Sequence, residues 1–246
     1  MRNSITLMNF KLLILLIFVS LTSCVKSAST EQKIEKEIID TMEKSTKTLE
    51  ELDTPIFWAE GHPRTLRRES WTLEVTGACE NPTTFTWQDL MDMPKTVSDA
   101  RLSSVTRWSV KGDWGGVKVS EILERVGAKE SVKYVRFWSH DLIYDTSIPI
   151  DIALKERTLV AWEFNGNYLT EDYGGPIRGF VPYLWGYKSA KSIVKIELME
   201  YYIPGYWEKR GYTDKGLIEP GPMRDVNDDF EMKQIPPGEV KGFIEE

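Results

Sequence analysis

Thiol and imidazole groups are scarce in this 246-residue chain, which carries two cysteines, Cys24 and Cys79, and two histidines, His62 and His140. Four such residues scattered along the sequence do not make a conventional structural zinc site, which takes four ligands at short spacing. C-x-x-C and C-x-x-C-H patterns are absent, which removes dithiol exchange and covalent haem. G-x-x-x-x-G-K-[ST], G-x-G-x-x-G and G-x-S-x-G are absent too. That removes the P-loop, the dinucleotide fingerprint and the nucleophile elbow. Positive charge is in deficit, with 31 Lys and Arg against 38 Asp and Glu and a net charge of −7. A strong electrostatic grip on nucleic acid is therefore not expected. What remains is a globular composition, 41% hydrophobic and 28% charged. The length suits one full domain with extensions, or at most two. A core of that size, burying roughly 70% of the unfolded surface, needs no disulfide or metal for stability.

The N-terminus reads as an address. Arg2 and Lys11 supply positive charge around and before an apolar run, Leu12 to Val19, that is too short to span a bilayer. This is the shape of a secretory signal. Its end, Leu21-Thr22-Ser23-Cys24, resembles the bacterial lipobox, which implies lipid on the Cys24 sulfur and cleavage before it. The expected mature protein is exported and anchored on the outer, periplasmic or extracellular, side of a bacterial membrane. Removing residues 1–23 leaves 29 basic against 38 acidic side chains, a net charge of −9. Cys79 is then the only thiol left, so no intrachain disulfide is expected even in an oxidising compartment. Arg2 is followed by Asn3, so no twin-arginine pair precedes the apolar run, and export as an unfolded chain is expected.

In the mature chain, Ile34, Ile38, Ile39, Met42 and Leu49 recur at helical spacing and predict an amphipathic helix over 31–52, within a tether spanning 24–66. Trp71 to Thr76 alternates as a strand does, closed by Gly77. Thr86 reads as the cap of a short helix, and Val119 to Val126 as another, capped by Ser120 or begun just before it. Further strands are expected over 132–138, 159–164, 180–184 and 192–198, with one helical turn at 151–154. Strands that outnumber short helices without regular alternation predict an α+β or mainly β fold, not a doubly wound sheet. The acidic, Pro- and Gly-rich tail, 209–246, is expected to wrap the domain surface.

Several segments, taken in order over residues 67–208, resemble the oxidoreductases with the sulfite oxidase fold. They include Trp71-Thr-Leu-Glu-Val-Thr-Gly77, Val105-Thr-Arg-Trp-Ser109 with Trp114-Gly-Gly-Val117, and Lys133-Tyr-Val-Arg-Phe137. The most specific are Gly174-Gly-Pro-Ile-Arg178, Val181-Pro182 and Gly186-Tyr-Lys-Ser-Ala-Lys191. The resemblance implies an α+β domain with mixed sheets and a molybdenum–molybdopterin cofactor. Carried over by position, Arg178 grips the pterin phosphate, helped by the turn Lys188-Ser189-Ala190-Lys191 and by the hydroxyl of Ser139. A planar Arg fork suits a phosphate, and a turn of inward N–H groups makes an anion nest. His140, a lone histidine, is read as structural.

The family's metal-binding cysteine precedes the Val of Val105-Thr-Arg-Trp, and here that position is Ser104. A thiolate is soft and readily formed, whereas a serine hydroxyl is hard and barely ionised at neutral pH. Cys79, expected to be a small buried apolar residue, does not replace it. Two readings follow. In one, the domain is an oxidoreductase that transfers an oxygen atom on a small sulfur compound, with Ser104 beside or on the metal, Arg107 facing a substrate anion, and an external electron-transfer partner. In the other, it is a non-catalytic ligand-binding or scaffold lipoprotein that kept the fold.

Overall fold

The computed structural model describes residues 46–59, 61–62 and 67–235. The expected export signal, the expected lipidation position Cys24 and positions 31–45 of the expected helix lie outside these residues. Of the rest of that helix, only Thr46 is helical, 47–48 have no regular structure and 49–53 are turns. Thr48 and Glu51 exchange side-chain-to-backbone bonds, the Thr48 N–H donating to Glu51 Oε2 at 2.8 Å and the Glu51 N–H to Thr48 Oγ1 at 3.2 Å. Leu49 and Leu52 turn into the protein and are buried. Their spacing therefore reports burial, not a continued helix.

Alternation builds the first sheet. In β1 (Thr72–Gly77), Leu73 and Val75 face inward while Thr72 and Glu74 face water. β1 pairs antiparallel with β2 (Thr83–Thr86) and parallel with β10 (Ile193–Met199). β10 continues antiparallel into β5 (Tyr134–Ser139), and β5 into β6 (Asp145–Pro149).

The second sheet grows from a long hairpin, β3 (Thr96–Ser103) and β4 (Trp108–Lys118). β4 also pairs with β7 (Leu159–Phe164), which carries β8 (Asn167–Tyr168) and β9 (Arg178–Phe180). All six residues of β7 are buried because both of its faces are covered. Val160 and Trp162 belong to one apolar cluster with Leu73, Phe137 and Ile196, while Leu159, Ala161 and Phe164 belong to another with Val110, Trp114 and Phe180.

Three short helices connect these strands. α1 (Trp87–Met91) starts at the expected Thr86 cap, where Thr86 and Asp89 form a reciprocal capping box. α2 (Val119–Arg125) begins at Lys118 with no side-chain cap, so Ser120 is inside the helix and does not cap it. α3 (Ile150–Ala153) is the expected single turn.

Two further expectations are revised. The strand expected over 180–184 contains only Phe180, the end of β9, because Pro182 has no N–H to continue a ladder and the chain turns, Leu184 N–H donating to Val181 O at 3.2 Å. The tail does more than wrap the surface. It adds β11 (Gly221–Asp225), parallel to the start of β4, and β12 (Glu231–Ile235), antiparallel to β11. Met223 and Ile235 pack with Trp185, Tyr187 and Ile218 in a third apolar cluster. Asp225, itself buried, accepts from Arg101 at 3.1 Å and ties the tail to β3.

Candidate cofactor cavity

Arg178 opens β9, and its side chain is 3% exposed. The guanidinium donates to the carbonyls of Tyr173 at 2.8 Å, Ser189 at 3.1 Å and Gly179 at 3.4 Å, and lies 5.4 Å from the Trp114 ring. Among the described residues no carboxylate pairs with it. Burial pushes its pKa down to about 10, with the Tyr144 hydroxyl pulling the other way, so it stays charged at neutral pH. A buried cation served only by carbonyls is costly unless an anion joins it.

That cation faces a cavity of about 520 Å³. Ser104, Ser139, Ser189 and Lys191 line the same cavity, so five of the residues singled out from the sequence converge on one space. Ser139 ends β5 and donates its hydroxyl to Lys191 O at 2.7 Å. Ser189 Oγ accepts the Val181 N–H at 2.9 Å, which leaves its own proton to donate. Lys191 Nζ donates to the carbonyls of Asp172 at 2.6 Å and Phe57 at 3.0 Å and sits 4.7 Å from the Trp58 ring centre. Burial first, and the charge of Arg178 second, push the Lys191 pKa down to about 7 against the opposing pull of Asp172.

Ser104 opens the turn between β3 and β4. Its carbonyl accepts the Arg107 N–H at 2.9 Å and its N–H donates to Trp108 O at 2.8 Å. The Ser104 hydroxyl lies 2.8 Å from Thr106 Oγ1 and accepts the Thr106 N–H at 3.2 Å.

Three other sequence candidates lie elsewhere. Arg107, in the left-handed region with φ of 64°, does not line the cavity. Its guanidinium reaches the carbonyl of Glu219 at 3.2 Å, the Glu219 carboxylate at 3.4 Å and the Trp185 ring at 5.4 Å. The tail thus holds Arg107 away from the place where it was expected to meet a substrate anion. Lys188 is fully buried in an ion pair with Glu208 and donates to Ser147 O at 3.0 Å. Ala190 packs in the first apolar cluster. The N–H groups of Lys188 and Ser189 are bonded back to Trp185 O and Gly186 O, so they do not form the expected inward nest. Only Ser189 and Lys191 of that turn face the cavity. His140 packs edge-on to Trp58 at 6.0 Å and does not line the cavity, in keeping with a structural role, and burial lowers its pKa.

Sequence reasoning missed part of the lining. The segment Thr54–Ala59 runs along the cavity, held by Tyr173, whose hydroxyl donates to Thr54 O at 2.9 Å, and by Lys191 on Phe57 O. Asp141, Tyr144, Trp207 and Tyr212 complete other parts of the wall. The aromatic pair Phe57-Trp58 beside Pro55 was the available signal for the first of these.

Comparison with known proteins gives the family of the domain. The family model described as the oxidoreductase molybdopterin binding domain matches residues 60–207. The chain belongs to this family. Among its relatives, the uncharacterised oxidoreductase YuiH of Bacillus subtilis is 35% identical over 147 residues, covering 59% of this chain and 74% of YuiH. The catalytic subunit of protein-methionine-sulfoxide reductase, MsrP, from Ralstonia nicotianae is 32% identical over 168 residues, covering 62% of this chain and 51% of MsrP. This chain thus spans about half the length of that relative. The solved structure of the sulfane dehydrogenase SoxCD from Paracoccus pantotrophus superposes with a TM-score of 0.55 at 21% identity, over 69% of this chain and 46% of that one. That likeness shows the α+β, sulfite oxidase-type fold.

The family's cofactor can be tested against the side chains. A phosphorylated pterin fits in charge, because Arg178 and Lys191 are cationic donors with no carboxylate partner, and in size, because ligand cavities run from about 300 to 1,000 Å³. Arg178, Lys191 and Ser189 would hold the phosphate end, while Ser139, whose proton goes to Lys191 O, holds that turn in place. Among the described residues no group of three or more His, Cys, Asp or Glu gathers to hold a metal. Ser104 presents a hydroxyl at the cavity.

Proposed function

We propose that this chain is an exported protein, anchored through lipid on Cys24, whose domain binds a molybdopterin cofactor and transfers an oxygen atom on a small sulfur compound. The observation that carries the proposal is the unpaired, buried Arg178 facing the cavity that Lys191, Ser139, Ser189 and Ser104 share. When bound, the cofactor would supply two-electron oxygen-atom transfer. Reduction of a sulfoxide to a thioether and water would draw two electrons and two protons from outside the domain, so an external electron-transfer partner belongs to the proposal. Relatives such as MsrP, whose name specifies a methionine sulfoxide reductase, support a sulfur compound as substrate.

In this reading the chain's own residues bind and orient. Arg178 and Lys191 neutralise the phosphate, and Ser189 adds a hydroxyl donor. Tyr144, whose hydroxyl donates to Tyr187 O at 2.6 Å, and Trp207 supply apolar wall. With Arg107 tied to Glu219, Arg178 is the only arginine among the described residues that lines the cavity.

A second reading is favoured by one observation. Ser104 offers an alcohol already engaged with Thr106, which is a poor substitute for a thiolate. The domain would then bind the pterin without turnover. Elemental analysis of protein purified from its native envelope separates the two. One molybdenum per chain supports the enzyme, pterin without molybdenum supports the binding protein, and neither would contradict both.

A further inference from the structure

Large apolar side chains are exposed mostly one at a time among the described residues, and single ones are ordinary on a protein surface. Two adjacent pairs break that pattern: Ile56-Phe57, 51% and 62% exposed, and Leu142-Ile143, 58% and 55% exposed. Both stand at the same cavity. Ile56 and Phe57 line it, and so do Asp141 and Tyr144, which bracket the second pair. Tyr206 joins the two segments, its hydroxyl donating to Ala59 O at 3.4 Å and its ring lying 5.5 Å from that of Tyr144. The Phe57 ring continues to Trp207 at 6.0 Å, and Trp207 stacks on Tyr212 at 4.9 Å. The cavity therefore has an aliphatic and aromatic rim, and contiguous exposed apolar surface of this kind marks an interaction site. Part of the rim is this chain's own, because Ile56 and Phe57 precede the matched domain.

The free charge beside the rim is positive, although the expected mature chain has 29 basic against 38 acidic side chains. Lys209 and Arg210 follow Trp207 and are exposed. Lys209 reaches toward Asp145 at 3.9 Å, a carboxylate that Arg136 already holds at 2.6 Å, and Arg210 lies 3.5 Å from the centre of the Tyr206 ring. The neighbouring acids are engaged. Glu208 is buried with Lys188, and Asp141 accepts the N–H groups of Ile143 at 2.9 Å and Tyr144 at 3.1 Å. Asp214 accepts the Tyr202 hydroxyl at 2.7 Å, and Glu219 faces Arg107 at 3.4 Å.

Exposed aliphatic and aromatic side chains flanked by Lys and Arg suit the headgroup region of an anionic bilayer. There the methyls and rings enter the acyl boundary and the cations stay at the phosphates. A leaflet is also the surface near which an anchored domain is held. The 21 residues 25–45 between Cys24 and Thr46 span at most about 75 Å, whatever their conformation. Tethering at that range supplies a high effective concentration, so a few inserted side chains suffice for docking.

We propose that the apolar rim formed by Ile56-Phe57 and Leu142-Ile143, with Lys209 and Arg210 beside it, docks the domain on an anionic phospholipid surface. This rests on the reading that the chain is anchored through Cys24, and it names the face that meets the leaflet. The cavity then opens toward the membrane.

The test places one nitroxide at a time on the full-length protein, at Phe57→Cys, Ile143→Cys and Leu154→Cys. Leu154 is exposed but does not line the cavity. Ile56→Cys and Leu142→Cys are second positions on the same two segments. The proteins are reconstituted into vesicles of phosphatidylethanolamine and phosphatidylglycerol, and relaxation of each label is read with oxygen, which concentrates in the bilayer, and with a nickel chelate, which stays in water. Labels at 57 and 143 are expected to meet oxygen and be shielded from nickel, while the label at 154 shows the reverse. Lys209→Gln/Arg210→Gln is expected to lower the ratio of docked to undocked label by about thirty-fold, at about a fivefold loss per cation. Vesicles of phosphatidylcholine alone should lower it in the same direction. Labels at 57 and 143 as open to nickel as the one at 154 would overturn the inference. Shielding from both reagents would overturn it too, because a protein surface, from a second copy or another part of this chain, would then cover the rim. Equal docking with and without the two cations, or on both kinds of vesicle, would overturn the anionic assignment. Mass spectrometry of the same samples reads lipid on Cys24. A lipid-free chain contradicts the anchoring and leaves the docking to be decided by its own labels, bilayer contact supporting it and nickel contact overturning it.

Discussion

Replacing Arg178 with methionine separates what this side chain does for the fold from what it does for a ligand. The guanidinium is 3% exposed, and its closest bonds run to Tyr173 O at 2.8 Å and Ser189 O at 3.1 Å. Its removal takes a donor from three carbonyls, of which the two short bonds are worth about 1–3 kcal/mol each. Against that loss stands relief from burying a charge that has no counter-ion, several kcal/mol in the opposite direction. Methionine fills much of the same volume with a flexible chain, so no large cavity opens. The two terms offset, and stability of the ligand-free protein in urea is expected to change by less than about 2 kcal/mol. Ligand binding has no such compensation. Losing one member of a buried charge pair costs about 2–5 kcal/mol, so affinity for a pterin phosphate should fall by about thirty-fold to several thousand-fold. The assay pairs urea unfolding of the ligand-free variant with calorimetric titration. A variant destabilised by more than about 5 kcal/mol with unchanged ligand affinity would refute the reasoning, because Arg178 would then be a structural residue.

Lys188→Met should behave in the opposite way. It strands Glu208 in the interior, where one carboxylate oxygen already lacks a partner among the described residues, and should destabilise by about 3–5 kcal/mol in urea, with most of that recovered in Lys188→Met/Glu208→Gln. The pH dependence of Lys191 has a defined sign. With its pKa pulled down to about 7, the folded chain binds fewer protons than the unfolded chain above that pH, so ligand-free stability should rise from pH 7 toward 10. Affinity for a phosphorylated ligand should fall over the same range as the ammonium is lost, and Lys191→Gln should flatten both profiles in unfolding and titration experiments. Asp225 has the reverse sign: burial works to raise its pKa, but Arg101 and Lys233 outweigh it and hold the carboxyl below its usual value. Its contribution should vanish as acid protonates it below about pH 4, read as a steeper acid-unfolding limb than in Asp225→Asn. Ser104→Cys should raise the molybdenum-to-pterin ratio of natively produced protein, and an unchanged ratio would show that the hydroxyl is not what sets metal content.

Much of the fold is legible because local patterns agree with the tertiary answer. Leu73 and Val75 alternate with Thr72 and Glu74, and Thr86 carries its own cap partner three residues on. The hairpin of β3 and β4 is not legible, since its strands mix glycine, tryptophan and charge and are held by pairing with each other and with β7. The strands of the tail are invisible for a similar reason. Asp225 reads as surface charge until Arg101, 124 positions away in sequence, is brought to it. The site divides in the same way. Arg178 and Lys191 stand out through the resemblance, and the structure brings them to one cavity. Lys188 looks equivalent to Lys191 in sequence, but it points into the core because Glu208 is there to receive it. Arg107 follows Ser104 by three residues, yet a left-handed backbone and Glu219 turn it outward. Asp141 carries no motif, and only the fold brings it to the cavity wall.

The central claim is that the cavity around Arg178 holds a phosphorylated pterin. The most direct measurement is the amount of pterin released, oxidised and read by fluorescence, per chain of protein purified from its native envelope. The account predicts close to one pterin per wild-type chain and a large loss in Arg178→Met. Wild-type protein that releases none would contradict it.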